Sequence, residues 1–166
     1  MVNKLIRIAF FTLLASCVTQ YHIKENDNGE PIVDKQKYSF NKKMSSDVFD
    51  LIDTTSVYVE ILSEKSLKQT INNFNVLIFH NDGYFESTST KYFRKFKRSK
   101  NSVYYGGKYF VTGNKISIEE FYPAKEARTN YYVKEISEGQ IKLDTIQITI
   151  FDTTHIYIKK NYNDLF

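Results

Sequence analysis

The chain has 166 residues, a formal net charge of +4 at pH 7 and a single cysteine. The length indicates one domain, and one cysteine excludes an intramolecular disulfide and a cysteine-based zinc site. Half of the net charge comes from Lys4 and Arg7, which lie in a segment that we expect to be cleaved off. The remaining charge therefore indicates no particular partner.

The first residues have the pattern of a secretory signal peptide. Lys4 and Arg7 form a positive start, and the run from Ile8 to Ala15 is apolar apart from Thr12. This run is too short to cross a bilayer, which needs about 20 apolar residues. A positive start followed by a short apolar run and small residues is typical of a secreted protein.

The apolar run leads into Leu14-Ala15-Ser16-Cys17. This order resembles the lipobox of bacterial lipoproteins, whose cysteine carries acyl chains such as palmitate and becomes the first residue of the mature chain. The resemblance implies a signal peptide at residues 1–16, lipidation at Cys17 and a lipid-anchored protein of the cell envelope, with the membrane as its partner. Because no acidic cluster follows Cys17, the resemblance favours the outer membrane, facing the periplasm. An ordinary signal peptide or a short buried segment is the alternative.

Residues 17–45 are predicted to be the lipidated cysteine and a flexible tether. The segment from Asn26 to Pro31 contains several turn-forming residues, and the region has few periodic apolar residues. A flexible coil of this length spans on the order of 30 Å. An extra edge strand near Ile32-Val33, or from Lys37 to Phe40, is an alternative for part of this region.

Residues 46–166 are predicted to form a single β domain that begins with a short helix. Ser46 followed by Asp47 to Ile52 has the pattern of a helix N-cap and one or two turns, with acidic residues near the positive end of the helix. The segment from Ser63 to Asn73 is consistent with either a loop or a short helix. The rest of the domain is dominated by β-branched and aromatic residues at a period of two, which predicts strands.

Two tight hairpins are predicted at Asn81-Asp82-Gly83 and Thr112-Gly113-Asn114, because these residue types accept the positive φ values of tight turns. A third turn is predicted at Ser137 to Gln140. The predicted strands are Val57–Ile61, Phe74–His80, Tyr84–Ser89, Tyr105–Val111, Lys115–Phe121, Tyr131–Ile136, the long segment Ile141–Phe151, and Thr154–Lys160.

The segment from Ile141 to Phe151 has two hydrophobic phases. Apolar residues hold odd positions at Ile141 and Leu143, but even positions from Ile146 onward. One regular strand cannot turn both sets toward the core, so a bulge or sharp bend is predicted at Asp144-Thr145.

These elements predict an all-β fold, an antiparallel meander of about eight strands closed into a barrel or a strongly bent sheet. The phrases Phe79 to Phe85, Gly106 to Val111 and Asn114 to Glu119 resemble small lipocalin-like lipoproteins of Bacteroidetes-type envelopes. The resemblance implies a lipocalin-like β-barrel and, through that architecture, a ligand cavity.

The sequence contains no recognisable catalytic constellation. His22, His80 and His155 lack the spacing of metal ligands, and Glu119 and Glu120 point to opposite faces of one strand. We therefore expect a protein that is not an enzyme and that holds no cofactor and no metal.

The span from Ser87 to Ile118 contains eight basic residues and no acidic one. Aromatic residues alternate with these cations, which favours a surface that binds an anionic component of the envelope. The alternative is a long hairpin whose lysines are solvated and whose aromatic rings pack on the barrel. The candidate binding residues are Lys91, Tyr92, Phe93, Arg94, Lys95, Phe96, Lys97, Arg98 and Lys100.

The sequence is compatible with two functions. The first is an interaction module that docks an envelope protein or an anionic polymer. The second is a barrel that binds a small apolar or aromatic ligand. Bulky Ile, Phe and Tyr side chains at the predicted inward positions would fill a small barrel, which favours the first. Nucleic acid is not an expected partner in this compartment.

Overall fold

The computed structural model describes residues 19–41, 44–61, 73–95, 97–125 and 130–165. Within these ranges the regular structure consists of strands and three short 3-10 helices, at Lys35–Lys37, Ser46–Asp50 and Tyr162–Leu165. The strands are β1 (Gln20–His22), β2 (Lys24–Glu25), β3 (Pro31–Ile32), β4 (Val57–Glu60), β5 (Asn75–Phe79), β6 (Tyr84–Ser89), β7 (Gly106–Thr112), β8 (Lys115–Pro123), β9 (Tyr131–Lys142), β10 (Thr145–Ile150) and β11 (Thr153–Lys160).

The eight strands from β4 to β11 form a closed antiparallel barrel. Each strand pairs with the next one along the chain, and β11 pairs back with β4, where Tyr157 lies opposite Glu60 and Lys160 lies opposite Val57. This architecture confirms the predicted all-β meander and is consistent with a lipocalin-like barrel. Closure gives each of these strands a partner on both sides and so protects edges that would otherwise invite aggregation.

The two predicted hairpins are confirmed, and local turn chemistry explains them. Gly83 has a φ of +82° and Gly113 a φ of +56°, values that glycine adopts without a steric penalty. The His80 N–H donates to the Tyr84 carbonyl at 2.8 Å and closes the first of these turns.

The predicted turn at Ser137 to Gln140 is wrong, because these residues lie inside the continuous strand β9. Gly139 lies opposite Ile116 of β8 and Ile148 of β10. A Cβ atom at Gly139 would lie 2.3 Å from the Gln147 carbonyl oxygen. The glycine therefore permits a close approach between β9 and β10 and does not make a turn.

Of the predicted bulge or sharp bend at Asp144-Thr145, the structure has the sharp bend: a two-residue hairpin turn, Leu143-Asp144, joins β9 to β10. Lys142 pairs with Thr145, and Leu143 has a φ of +52°. When two strands are joined by a two-residue turn, the residue numbers of each paired couple differ by an odd number, as those of Ile141 and Ile146 do. This parity is why the inward-facing set changes from odd to even positions.

The predicted N-terminal helix is only a 3-10 segment, Ser46–Asp50, and Ser45 rather than Ser46 occupies its N-cap position. Ser45 makes no side-chain capping hydrogen bond. Val48 and Ile52 are buried in the barrel core. Packing of these two side chains, rather than a cap, therefore holds the segment against the barrel.

Residues 20–41, predicted as part of a flexible tether, pack against the outer wall of the barrel. We call them the N-terminal strap. Strand β1 pairs with the first residues of β9, Gln20 lying opposite Val133. Ile23, Val33 and Tyr38 are buried in a cluster with barrel residues. The physical reason is that the outer face carries apolar and aromatic side chains that need cover, namely Tyr84, Tyr105, Phe121 and Tyr132.

The barrel interior is apolar at one end. We call it the hairpin end, since the turns at 81–83, 113–114 and 143–144 lie there. Tyr58, Phe79 and Phe85 are among the largest fully buried side chains in this core. Tyr157 faces the interior as well, opposite Ile146. A separate outer cluster contains Val57, Val76, Ile78 and Phe93, with Tyr162 packed against it.

Candidate functional site

Four of the six predicted basic residues meet in one groove on the outer wall. Arg94, Lys97, Arg98 and Lys100 line a groove of about 530 Å³, which we call the basic groove. Its other lining residues are Ile78, Glu86, Phe93, Tyr105 and Tyr162.

The remaining predicted site residues are elsewhere. Lys91 and Lys95 are exposed and do not line the groove. The Lys91 ammonium lies 5.1 Å from the centre of the Tyr92 ring. Phe96 and Cys17 lie outside the described residues.

Phe93 anchors to the barrel the segment from Lys91 to Lys100, which we call the basic segment. Strand β6 ends at Ser89, whose carbonyl accepts hydrogen bonds from the N–H groups of Tyr92 and Phe93 at 2.9 and 2.8 Å. This turn directs the Phe93 ring into the outer cluster, where it is only 4% exposed. For Phe93, packing on the barrel is therefore the correct alternative.

Arg94 is held by aromatic contacts. It has a φ of +59°, a value that is uncommon for residues other than glycine. Its guanidinium carbon lies 4.2 Å from the centre of the Tyr162 ring, a cation–π geometry. Because Tyr162 begins the C-terminal 3-10 helix, the end of the chain supplies one wall of the groove.

Lys100 links the groove to the first hairpin. Its ammonium lies 2.6 Å from a carboxylate oxygen of Asp82. Burial raises the pKa of Asp82, but hydrogen bonds from Lys100 and from the Tyr84 N–H outweigh this effect and leave the pKa lowered. Both side chains are nearly half exposed, so we expect the pair to add little stability.

The groove has more positive than negative charge. The Arg98 guanidinium donates to the Tyr104 carbonyl, and within the described part of the chain Lys97 makes no ion pair or hydrogen bond. Glu86 is the one carboxylate among the described lining residues. Burial raises the pKa of Glu86, and the charge of Arg98 opposes that rise.

Tyr105, which lines the groove, and the half-buried His80 form a pair. The Tyr105 hydroxyl lies 2.7 Å from His80 Nε2, and the two rings stack. Burial raises the pKa of Tyr105 and lowers the pKa of His80. His80 is thus a neutral, hydrogen-bonded residue beside a turn at neutral pH.

The barrel interior is polar at the end away from the hairpins. Glu60 lies 2.6 Å from His155 Nδ1 and accepts a hydrogen bond from the Asn75 amide, also at 2.6 Å. Across the barrel, the Tyr122 hydroxyl donates to Glu120 at 2.7 Å, and burial raises the pKa of Glu120. In the described ranges, no three His, Cys, Asp or Glu residues are grouped as metal ligands.

Several groove residues carried no signal in the sequence. Tyr162 lies far from the basic segment along the chain, and Glu86 and Ile78 belong to an ordinary hairpin. Only the closed barrel brings them together. The acid-free run from Ser87 to Ile118 was the one local signal for the groove.

Strand order and closure define the class of protein: a small antiparallel up-and-down β-barrel with a basic groove on its outer wall. Comparisons with protein-family models, curated proteins and solved structures give no match for this chain. No helix in the described ranges has the length and hydropathy to span a bilayer.

Proposed function

We propose that this chain is a lipid-anchored envelope protein that acts as a non-catalytic interaction module, and that its basic groove binds an anionic polymer of the envelope. The observation that carries the proposal is the convergence of Arg94, Lys97, Arg98 and Lys100 on one groove. The lipobox-like sequence ending in Cys17 supports the location.

The chemistry of the groove favours an anionic ligand. Arginine presents a planar fork of N–H donors that matches carboxylate and phosphate groups, and lysine adds a compact charge. Glu86 is less readily ionised than usual, because burial raises its pKa. An entering anion would therefore meet a net positive field.

The position of the groove favours a polymer or a partner surface over a small enclosed molecule. The groove lies on the outer wall of the barrel, whereas bulky side chains such as Phe79, Phe85 and Tyr109 fill the interior at the hairpin end. A long ligand can pass along an outer groove without a change in the barrel.

The test compares two charge-matched variants of the detergent-solubilised mature protein. The groove variant carries Arg94→Gln, Lys97→Gln and Lys100→Gln. The control variant neutralises three exposed lysines outside the groove, Lys24, Lys125 and Lys142.

We expect the wild type to bind dextran sulfate, but not neutral dextran, and to bind less tightly as salt screens the charges over about 8 Å. The groove variant should bind at least about tenfold more weakly, and the control within about threefold of the wild type. Equal affinities of the two variants, with unchanged melting temperatures, would refute the proposal.

The second candidate function is binding of a small ligand inside the barrel. The observation that favours it is the polar interior, where Glu60 lies 2.6 Å from His155 Nδ1 and the Tyr122 hydroxyl donates to Glu120, because convergent polar groups are typical of ligand sites. Native mass spectrometry of the purified protein tests it. A bound small molecule that is lost in a Glu60→Leu variant supports this function, and an empty barrel in the wild type opposes it.

A further inference from the structure

A second cavity adjoins the basic groove. Strand β6 pairs with β7 only from Tyr84 to Glu86. Beyond these pairs, the Ser87 N–H donates to the Tyr105 carbonyl. Beside the end of β6 lies a cavity of about 270 Å³. We call it the tyrosine pocket, and it is lined by Asn75, Glu86, Ser87, Thr88, Ser89, Tyr92, Arg98, Tyr104 and Tyr105.

The lining of the tyrosine pocket is rich in groups that form hydrogen bonds in both directions. Hydroxyls donate and accept, Asn75 contributes an amide, Glu86 accepts and Arg98 donates. The Ser89 hydroxyl oxygen is buried and has no hydrogen-bond partner among the described residues.

Two aromatic rings at the pocket are exposed. Tyr92 is 45% and Tyr104 51% exposed, and both line the pocket. The Arg98 guanidinium carbon lies 5.6 Å from the centre of the Tyr104 ring and supports it from one side. An exposed, rigid ring beside a polar pocket offers an apolar surface for stacking together with nearby hydrogen bonds.

This combination matches the chemistry of a sugar ring. A pyranose has an apolar C–H face that stacks on aromatic rings, and hydroxyls that exchange hydrogen bonds with amide, carboxylate and guanidinium groups. A phosphate or sulfate fits the pocket less well than the groove, because Arg98 is the one cation among the described residues that line the pocket. In the adjoining basic groove, by contrast, four of the lining residues are cations.

The two cavities share Glu86, Arg98 and Tyr105 and are therefore contiguous. We propose that the tyrosine pocket seats one sugar residue of a polysaccharide while the acidic groups of the same polymer lie in the basic groove. This inference rests on the proposed function and narrows its ligand to an anionic polysaccharide.

The test measures the affinity of the mature protein for polygalacturonate, an acidic polysaccharide, and for polyphosphate, a polyanion without sugar. The pocket variant is Tyr104→Ser, which removes an exposed ring, and Tyr104→Phe keeps the ring. Tyr131→Ser is the matched control, since Tyr131 is exposed on β9 outside the pocket.

We expect Tyr104→Ser to weaken polygalacturonate binding about tenfold, and Tyr104→Phe and Tyr131→Ser to change it by less than about twofold. Polyphosphate binding should be unchanged in all three variants. The groove variant with Arg94→Gln, Lys97→Gln and Lys100→Gln should weaken binding of both polymers.

The outcomes separate this inference from the proposed function. If Tyr104→Ser weakens binding of both polymers equally, or of neither, the sugar pocket is refuted, but the proposal that the groove binds an anionic polymer is not. Tighter binding to vesicles of phosphatidylglycerol than to polygalacturonate would indicate that the surface binds lipid headgroups. It would refute a polysaccharide as the ligand. If the wild type binds neither polymer, the proposed function itself fails.

Discussion

Glu119 and Glu120 are adjacent in sequence but have different surroundings, because successive residues of a strand point to opposite faces. Glu119 points outward, yet it is fully buried under the N-terminal strap and lies 3.1 Å from the Lys134 ammonium. Glu120 points into the barrel, where the Tyr122 hydroxyl donates to it. Glu119 thus holds the N-terminal strap to the barrel, whereas Glu120 is an ionisable group inside the barrel.

The inward-facing carboxylate of Glu120 leads to a prediction about how the stability of the protein depends on pH. Because burial raises the pKa of Glu120 above its unfolded value of about 4.3, its contribution to stability is complete below that pH and is lost as the pH rises through the raised pKa. The Glu120→Gln variant keeps an acceptor for Tyr122 and cannot ionise. We expect a higher melting temperature than wild type at pH 7.5 and no difference at pH 4.

Thermal unfolding followed by circular dichroism at the two pH values measures this effect. A gain in melting temperature that is the same at pH 4 and pH 7.5 would show that repacking, and not ionisation, causes it. A loss of stability at pH 7.5 would contradict the prediction.

At the scale of elements, the N-terminal strap is held to the barrel by buried polar contacts as well as by apolar burial. Glu119 accepts hydrogen bonds from the backbone N–H groups of Ser39 and Phe40 at 2.8 to 3.2 Å. The Lys108 ammonium donates to the Phe40 carbonyl at 3.1 Å. The Lys134 ammonium donates to the Ser39 hydroxyl at 2.8 Å. These bonds fix the last part of the strap across β7, β8 and β9.

We therefore predict that Glu119→Gln loosens the strap. The change removes the ion pair with Lys134 and weakens the bonds to Ser39 and Phe40, at a cost of about 2 kcal/mol in the free energy of unfolding. Urea unfolding measures that free energy, and amide hydrogen exchange at Ser39 and Phe40 should become faster.

The matched control is Glu138→Gln, since Glu138 is an exposed carboxylate that accepts a hydrogen bond from Ser117 on the same outer face. It should change the free energy of unfolding by less than about 0.5 kcal/mol. If the two variants are equally stable, or if exchange at Ser39 and Phe40 is unaffected, Glu119 does not fasten the strap.

At the scale of the whole molecule, the packed strap changes the expected distance between barrel and membrane. Strand β1 already begins at Gln20, which pairs with Val133. If Cys17 carries the lipid, only Val18 and Thr19 separate it from Gln20, so the link spans about 10 Å rather than the roughly 30 Å of a free tether. The barrel would then lie close to the headgroups.

We predict that Cys17→Ala moves the protein from the membrane fraction to a soluble form or leaves it uncleaved, because loss of the cysteine removes both lipidation and the processing that depends on it. Fractionation of expressing cells, with palmitate labelling of the wild type, measures this outcome. Recovery of a fully processed Cys17→Ala protein in the membrane fraction would exclude the anchor.

Local features of the sequence determined the strands and the two glycine-containing hairpins. Alternating β-branched and aromatic residues predict strands wherever one face must be buried, and Gly83 and Gly113 accept positive φ. The acid-free basic run likewise identified the segment that lines the groove. These features could be predicted because each depends on residues that are close together along the chain.

Other features depended on contacts between distant residues. The turns at Leu143-Asp144 and Phe151-Asp152 contain no glycine, although Leu143, Phe151 and Asp152 all have positive φ. Pairing of the flanking strands imposes those conformations, so turn propensities did not predict them. The strap was mistaken for a tether because its burial requires an outer wall that exists only after the barrel closes.

In the candidate site, too, some features depend on neighbouring residues and others on contacts between distant residues. A cluster of cations on one segment can be predicted from the sequence, whereas only the folded chain shows which of these cations face a common groove. The tertiary structure placed Arg94 against Tyr162 and buried Phe93. Side chains from β5, β6, the basic segment and the C-terminus meet only because β11 pairs with β4 and closes the barrel. Closure between strands so far apart in sequence depends on the packing of the whole core.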